Sequence, residues 1–165
     1  LQCPLAVDPS NGTVYASPYR SGRFSIDVLH LYDSLPPGEI VMDIPPVEKT
    51  PAEIAAEREY YAALFTVMEA GDPQYDVYCD PFPLRHPVRA MDVDDAGRLW
   101  VLRGDTDIPG FFVFSPSWEL AGTFVAPDLP DGEQLVFRVQ GNRMLAYSEN
   151  PPDFQKIWII NIPPR

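Results

Sequence analysis

An all-β fold built from repeated units of four antiparallel strands is what this sequence predicts, and three observations carry the prediction. A strand–turn–strand pattern recurs along the chain, and each copy turns at a glycine. Twenty prolines in 165 residues are too many for a helical protein, because proline breaks helices and suits strand ends and tight loops. Nine Phe, eight Tyr and three Trp, within a hydrophobic share of 45 %, give a chain of this length the material for a real core.

The first copy of the pattern is "LAVDPSNGTVYAS" (residues 5–17) and the second is "MDVDDAGRLWVL" (residues 91–102). Val7 and Asp8 match Val93 and Asp94, and Gly12 matches Gly97 after a one-residue gap. Val14, Tyr15 and Ala16 match Leu99, Trp100 and Val101. A third copy, "FRVQGNRMLAYS" (residues 137–148), puts Gly141 at the turn. Glycine supplies the positive φ that such hairpin turns need. The alternating apolar positions on either side read as strands.

A second strand pair follows each of the first two copies. "FSIDVLHLYDSLPPGEIVMDIP" (residues 24–45) follows the first and "GFFVFSPSWELAGTFVAP" (residues 110–127) the second. This alignment sets Tyr32 and Asp33 on Phe114 and Ser115, and Glu39 and Ile40 on Glu119 and Leu120. After the third copy one strand remains, "KIWIINI". The unit is therefore four strands, A to D, in meander order. Units occupy residues 4–45, 87–127 and 134–165, the last with three strands. Gly97 and Gly141 lie 44 residues apart, and a four-stranded repeat of about 40–45 residues is the signature of a β-propeller blade. Small twisted sheets of this kind cover their faces by stacking on one another.

The insertion at residues 46–86 interrupts the repeat. Thr50 is an N-cap, Pro51 suits the first helical turn, Glu53 completes a capping box and Gly71 marks a stop. Ile54, Tyr61, Leu64, Phe65 and Met68 fall on one side, so the helix is expected to pack on an apolar surface. "GDPQYDVYCDPFPLRHP" then returns to the sheets as a Pro-rich loop.

"VDDAGRLWV" followed by "FFVFSPSWELAGTF" resembles the blades of bacterial six-bladed β-propellers in the neighbourhood of the NHL-repeat and TolB-like groups. Asp94, Gly97, Leu99, Trp100 and Val101 fit the first half of that blade pattern. Phe114 fits the second half, where Ser115 stands in place of the usual Asp, while Tyr32 and Asp33 keep the usual form. The resemblance covers nearly the whole chain outside the insertion. It implies that the chain is the C-terminal half of a six-bladed ring. A longer protein, another chain or a second copy would then supply the missing blades. An open wedge of three blades exposes two apolar faces, which favours association.

Twelve basic against 24 acidic residues give a formal charge of −12. That balance excludes a nucleic-acid or anionic-membrane surface, which needs clustered Lys and Arg. No apolar run approaches the length of a spanning helix, about 18 residues, so no membrane insertion is expected. The opening "LQCPLAVDP" lacks the layout of a signal peptide and begins at strand-like sequence, as if an upstream part had been removed. Cys3 and Cys79 could form one disulfide or remain two thiols, and their spacing fits no metal or redox motif. "NGT" at Asn11 matches a glycosylation sequon and equally reads as a turn.

Loops carry function more often than strands do. In a four-strand blade the B–C loops share a rim with the D–A crossovers, including the insertion. That rim gathers Arg20, Arg23, His86, Asp105, Asp107, Glu149 and Asp153 as candidate ligand-binding residues. Asp105 and Asp107 with Glu149 or Asp153 could offer a hard cation such as calcium its oxygen ligands. "DVDDAG" reads as a hairpin turn, since it lacks the spaced acids of an EF-hand. "RGD" at residues 103–105 matches an integrin-binding triplet and reads as a chance occurrence. His30 is expected in a strand and His86 in a loop, and the three tryptophans in blade packing, with Trp118 at a C–D turn. No nucleophile elbow, Cys/His array or phosphate loop is present.

The expected function is a non-catalytic binding or scaffolding propeller module, secreted or periplasmic, with no cofactor and with a protein partner or second copy completing the ring. The resemblance also leaves open a calcium-dependent hydrolase of the six-bladed lactonase type. A further alternative is a structural subunit that self-assembles through its open faces.

Overall fold

The computed structural model describes residues 3–64, 81–130, 135–148 and 156–163. Among these residues, three antiparallel sheets follow one another along the chain. The first contains β1 (Leu5–Asp8), β2 (Thr13–Ala16), β3 (Ser25–His30) and β4 (Gly38–Val41). The second contains β5 (Val88–Val93), β6 (Leu99–Arg103), β7 (Gly110–Phe114) and β8 (Leu120–Val125). The third contains β9 (Leu135–Gln140), β10 (Arg143–Ser148) and β11 (Ile157–Asn161). Within each sheet every strand pairs with its neighbour in sequence. Among the described residues, one helix, α1 (Pro51–Leu64), lies between β4 and β5.

The sheets stack in chain order through their first strands, β1 against β5 and β5 against β9. Each sheet thus has a forward face toward the next sheet and a backward face toward the previous one. Between the first and second sheets lies one core, with Tyr15, Ile26, Val28 and Ile40 meeting Met91, Leu99, Val101, Phe112 and Phe114. Between the second and third sheets lies another, with Trp100, Leu102, Phe111 and Val113 meeting Phe137, Val139, Met144 and Ala146. The middle sheet is therefore apolar on both faces. This is why "LWVL" and "GFFVF" read as continuous rather than alternating runs. Aromatic rings lock each core. Phe24 meets Phe112 at 5.7 Å and a right angle, and Phe111 meets Phe137 at 5.0 Å and 78°, an edge-to-face geometry that aromatic quadrupoles favour.

The strand register corrects the alignment read from sequence. Val14 pairs with Leu29 in the first sheet, and its counterpart Leu99 pairs with Phe114 in the second. Leu29, not Tyr32, is thus the counterpart of Phe114. Tyr32 and Asp33 lie beyond β3, in a connection of seven residues (31–37), whereas residues 115–119 make a connection of five. Tyr32 lies across the first hairpin turn, where its ring leaves no room for a Cβ on Gly12. The identity of Glu39 with Glu119 is likewise a coincidence. Pairing of Val28 with Gly38 and of Val113 with Gly122 makes Gly38 the counterpart of Gly122.

The shared Asp and Gly of the first two copies build the A–B turns. Gly12 and Gly97 sit at φ +72° and +73°, a conformation that costs an L-residue about 1 kcal/mol or more. Asp94 is buried and accepts from the Ala96 and Arg98 backbone N–H groups at 3.0 and 2.9 Å. It also accepts from Arg98 Nε at 2.7 Å and from the Trp100 indole Nε1–H at 2.9 Å. Asp8 does the same with Ser10 and Asn11. In the third copy, Gly141 and Asn142 make a two-residue turn with no aspartate. A neighbouring turn compensates, since Asp95 Oδ1 accepts from Gly141 N–H at 3.3 Å.

These two adjacent acids yield a clean contrast. Asp94→Ala strands buried donors and should lower stability by about 3 kcal/mol. Asp95→Ala removes one exposed contact and should change stability by less than about 0.5 kcal/mol. Urea unfolding of the two variants measures both values.

Candidate functional site

The A–B and C–D turns lie at one end of the sheets, and the B–C loops and D–A crossovers at the other. The crossover rim was expected to hold the site. Its insertion closes at a neck, where Arg85 N–H donates to Val47 O at 2.8 Å and Lys49 N–H to Pro83 O at 2.9 Å. The capping box forms as expected, with Thr50 N–H donating to Glu53 Oε2 at 2.7 Å and Glu53 N–H to Thr50 Oγ1 at 3.2 Å.

Over its described side chains, α1 docks through a face that mixes apolar and charged residues. Its half-buried described positions are Glu53, Ile54, Glu57, Tyr61 and Ala62, and both glutamates hold cations. Arg85 Nε lies 2.8 Å from Glu53 Oε1, and Lys49 pairs with Glu57. Burial pushes the Glu53 carboxyl up, but the Thr50 N–H and the Arg85 guanidinium outweigh it and hold the group below its ordinary range. Tyr61 donates to Glu57 Oε1 at 3.0 Å. Burial together with the Glu57 charge pushes its phenol up to about 12. Leu64 is the last described residue of α1. The expected stop at Gly71, and the apolar contributions of the Leu64 side chain, Phe65 and Met68, lie outside the described residues.

The described charged rim residues separate into small ion-pair groups. Arg20 reaches Asp27 at 2.8 Å and Glu39 at 3.2 Å, and Arg23 lies 3.7 Å from Glu39. Asp107 Oδ1 accepts from Arg85 at 2.8 Å. Asp105 takes both a 3.0 Å and a 2.7 Å bond from Arg103. The RGD triplet is therefore folded on itself, with its two charges joined. Its glycine is fixed in place, because a Cβ on Gly104 would lie 1.9 Å from His86 O. Asp105 and Asp107, the two acids common to the calcium sets read from the sequence, already face guanidinium groups. Among the described residues, no three His, Cys, Asp or Glu side chains gather as a metal site. Glu149, Asp153 and Cys79 lie outside the described residues. Cys3 is exposed.

His86 pins the crossover between the first two sheets. Its Nε2–H donates to Ser17 O at 2.9 Å, and its Nδ1 accepts from Val88 N–H at 3.1 Å. Tyr19 stacks on Phe82 beside it, with ring centroids 4.2 Å apart. Burial lowers the His86 pKa, opposed by the Ser17 carbonyl and assisted by Lys49. Arg85, one residue earlier, escaped the sequence reading. It ties α1 to the 104–109 loop, and no motif distinguishes it from any other loop arginine.

The opposite rim holds an open groove of about 470 Å³ between the first two sheets. Trp118 and Pro116 from the second sheet's C–D turn form one wall. Tyr15, His30 and Gly38 form the other, with Asp33 and Asn11 at the mouth. Trp118 has φ +66°, a left-handed conformation that costs a bulky residue about 1–2 kcal/mol. Packing holds it there. The His30 ring stacks on it at 5.9 Å and 26°, and the indole sits where any Cβ on Gly38 would clash, at 2.7 Å. Thr13 Oγ1, 3.2 Å from His30 Nδ1, orients the imidazole. Burial pushes the Tyr15 phenol up, against the Trp118 indole N–H and together with the Asp8 charge. Among the described residues, no Lys or Arg lines this groove, so the chemistry of that lining suits a neutral polar or cationic ligand and disfavours an anion. A smaller groove of about 330 Å³ lies at the matching seam between the second and third sheets, lined by Trp100, Phe124 and Gly141 among others. The seam is thus a product of the stacking, and His30, Asp33 and Trp118 distinguish the first one. Compared with known families and curated proteins, the chain matches no family model and no curated protein.

Two measurements follow from the neck. The folded His86 pKa lies below its ordinary value of 6.5, so the unfolded chain binds the extra proton first. His86 therefore costs nothing above pH 6.5, and stability falls as pH drops from there through the folded value. His86→Gln should flatten that fall in denaturant titrations across pH 5 to 7.5 (roughly the histidine range). Arg85→Ala removes two charge-assisted contacts worth about 2 kcal/mol together. It should speed amide exchange in α1 on the order of tenfold while leaving β6 and β7 protected.

Proposed function

We propose that the chain is a non-catalytic binding and scaffolding module, three blades of a six-bladed β-propeller, and that its ligand occupies the groove walled by Trp118. The observation that carries the reading is the middle sheet, apolar on both faces and stacked through its first strand on the first strands of its neighbours. Face-to-face stacking of four-stranded meanders is how a propeller covers its blades. The blade-like hairpin at Asp94, Gly97 and Trp100 supports the same reading, and with it a position outside the cytoplasm.

A binding role fits the chemistry of the two rims. On the crossover rim, Asp105 and Asp107 are engaged by Arg103 and Arg85, and Arg20 by Asp27 and Glu39. On the turn rim, a strained aromatic side chain is held at the edge of an open groove, with an imidazole stacked on it. Backbone strain retained beside a groove is a common mark of a recognition site.

Indole fluorescence of Trp118 provides the test. A panel of neutral sugars, primary amines and organic phosphates should divide by charge, with sugars or amines shifting the emission and phosphates silent. Trp118→Gly should abolish the shift, and Asp33→Asn should weaken binding of an amine by roughly tenfold, the loss of one charge-assisted contact. Hydrolysis of lactones or aryl esters that requires added calcium would overturn the non-catalytic reading.

A further inference from the structure

The first A–B turn carries the single Asn–Gly bond of the sequence, Asn11–Gly12, because Asn142, Asn150 and Asn161 precede Arg, Pro and Ile. That dipeptide is chemically labile. Solvent base can deprotonate the glycine N–H, which no side chain shields, and the nitrogen then attacks the asparagine Cγ. A C–N bond forms, the carboxamide nitrogen leaves as ammonia with that proton, and a cyclic succinimide remains. Water opens the ring at either carbonyl. It restores the N–H and leaves aspartate or isoaspartate. Water is the sole co-reactant, and nothing is oxidised or reduced.

We propose that Asn11 is a latent deamidation site, held shut by the folded turn and released by its local opening, where a neutral amide at the mouth of the groove becomes a carboxylate. Each group that ring closure needs is committed. Gly12 N–H, the nucleophile, donates to Asp8 O at 2.8 Å. Asn11 Oδ1 accepts from Thr13 N–H at 2.8 Å, and Asn11 Nδ2 donates to Asp8 Oδ2 at 2.9 Å. The carboxamide is thus held at both ends and must break both bonds to swing its carbon onto Gly12 N. Gly12 is buried although Asn11 is exposed. Its carbonyl accepts from Leu31 N–H at 3.1 Å, and the Tyr32 ring fills the space a Cβ would take. Base and water therefore reach the reacting nitrogen through the open turn.

The product does not refit the turn. A carboxylate at position 11 has no hydrogen to donate to Asp8 Oδ2, and the two like charges repel. Among the described residues, no Lys or Arg lines the groove to offset them. Isoaspartate also adds a main-chain carbon between Asp8 and Thr13, which pair across the turn. Conversion is therefore one-way, and it adds negative charge to a groove already lined by Asp8 and Asp33. The inference stands apart from the propeller reading and from any ligand in the groove.

Peptide mapping by mass spectrometry tests it, on the whole chain incubated in mildly alkaline buffer, folded or in urea, then reduced and briefly digested. Trypsin releases residues 1–20, in which Asn11 is the one asparagine. In urea, Asn11 should convert to aspartate and isoaspartate well ahead of Asn142 and Asn161. In the folded chain its conversion should be slower by on the order of tenfold or more, since the reaction samples only the opened turn. The Tyr32 side chain is 80 % exposed, so Tyr32→Ala should keep the circular dichroism of the wild type while Asn11 converts severalfold faster. Asn11→Asp, which mimics one product, should unfold at lower urea than the wild type. Equal rates in the folded and unfolded wild type would overturn the gate. Conversion in urea no faster than at Asn142 overturns the labile site. A Tyr32→Ala variant as slow as the wild type overturns the part given to the ring, and an Asn11→Asp variant as stable as the wild type overturns the one-way step.

Discussion

A sheet that is apolar on both faces can persist in water only between two others, and the rest of this molecule is arranged around that constraint. β6 and β7 place Leu99, Val101, Phe112 and Phe114 on one side and Trp100, Leu102, Phe111 and Val113 on the other. Fully burying each of these side chains contributes about 2 kcal/mol, and none would be realised by the second sheet alone. Among the described residues, the first and third sheets each cover one of its faces and leave one of their own uncovered. Their outward apolar residues, Leu5 and Val7 at one end and Ile157 and Ile159 at the other, are the same constraint passed along the stack.

Polar groups set the register within that apolar stack. Asp94 gathers four donors at the second A–B turn, including the indole N–H of a tryptophan that faces the next core. The turn and the core are thus specified together. Asp92 does this between sheets. From β5 it accepts the Val139 N–H of β9 at 2.8 Å and pairs with Arg138. A buried carboxylate that takes a backbone N–H from a neighbouring sheet permits one vertical alignment of the two sheets, because any slip leaves it without partners. His86 plays the corresponding role between the crossover and the first two sheets, with both ring nitrogens committed.

The two rims differ in how their charges are used. On the crossover rim the insertion brings Arg85 and Lys49 to Glu53 and Glu57, and Arg85 on to Asp107. The acidity of the chain is there spent on holding loops together. On the turn rim the polar groups of His30, Asp33 and Asn11 line an open seam. The seam lies where the first two sheets meet, and His30, Asp33 and the left-handed Trp118 make it distinctive.

Much of the strand plan was legible because its signals are local. Glycine at a positive-φ turn, proline at strand ends and a capping box at Thr50 and Glu53 depend on nearest neighbours, and each appears where the sequence places it. The length of a loop between strands is not local, so the match of Tyr32 to Phe114 failed by three residues. Two short motifs looked alike while the register that pairs them was hidden. Candidate residues fared similarly. Charged loop side chains were identified by type, but an aspartate beside an unseen arginine reads the same as a free one, and Arg85 had no motif at all. Local sequence signals sufficed for the meander units, their apolar strands and their turns. Only the tertiary structure decided which faces are covered, which charges are already paired and that Trp118 stands in a groove, because each of those depends on contacts between residues far apart in the chain.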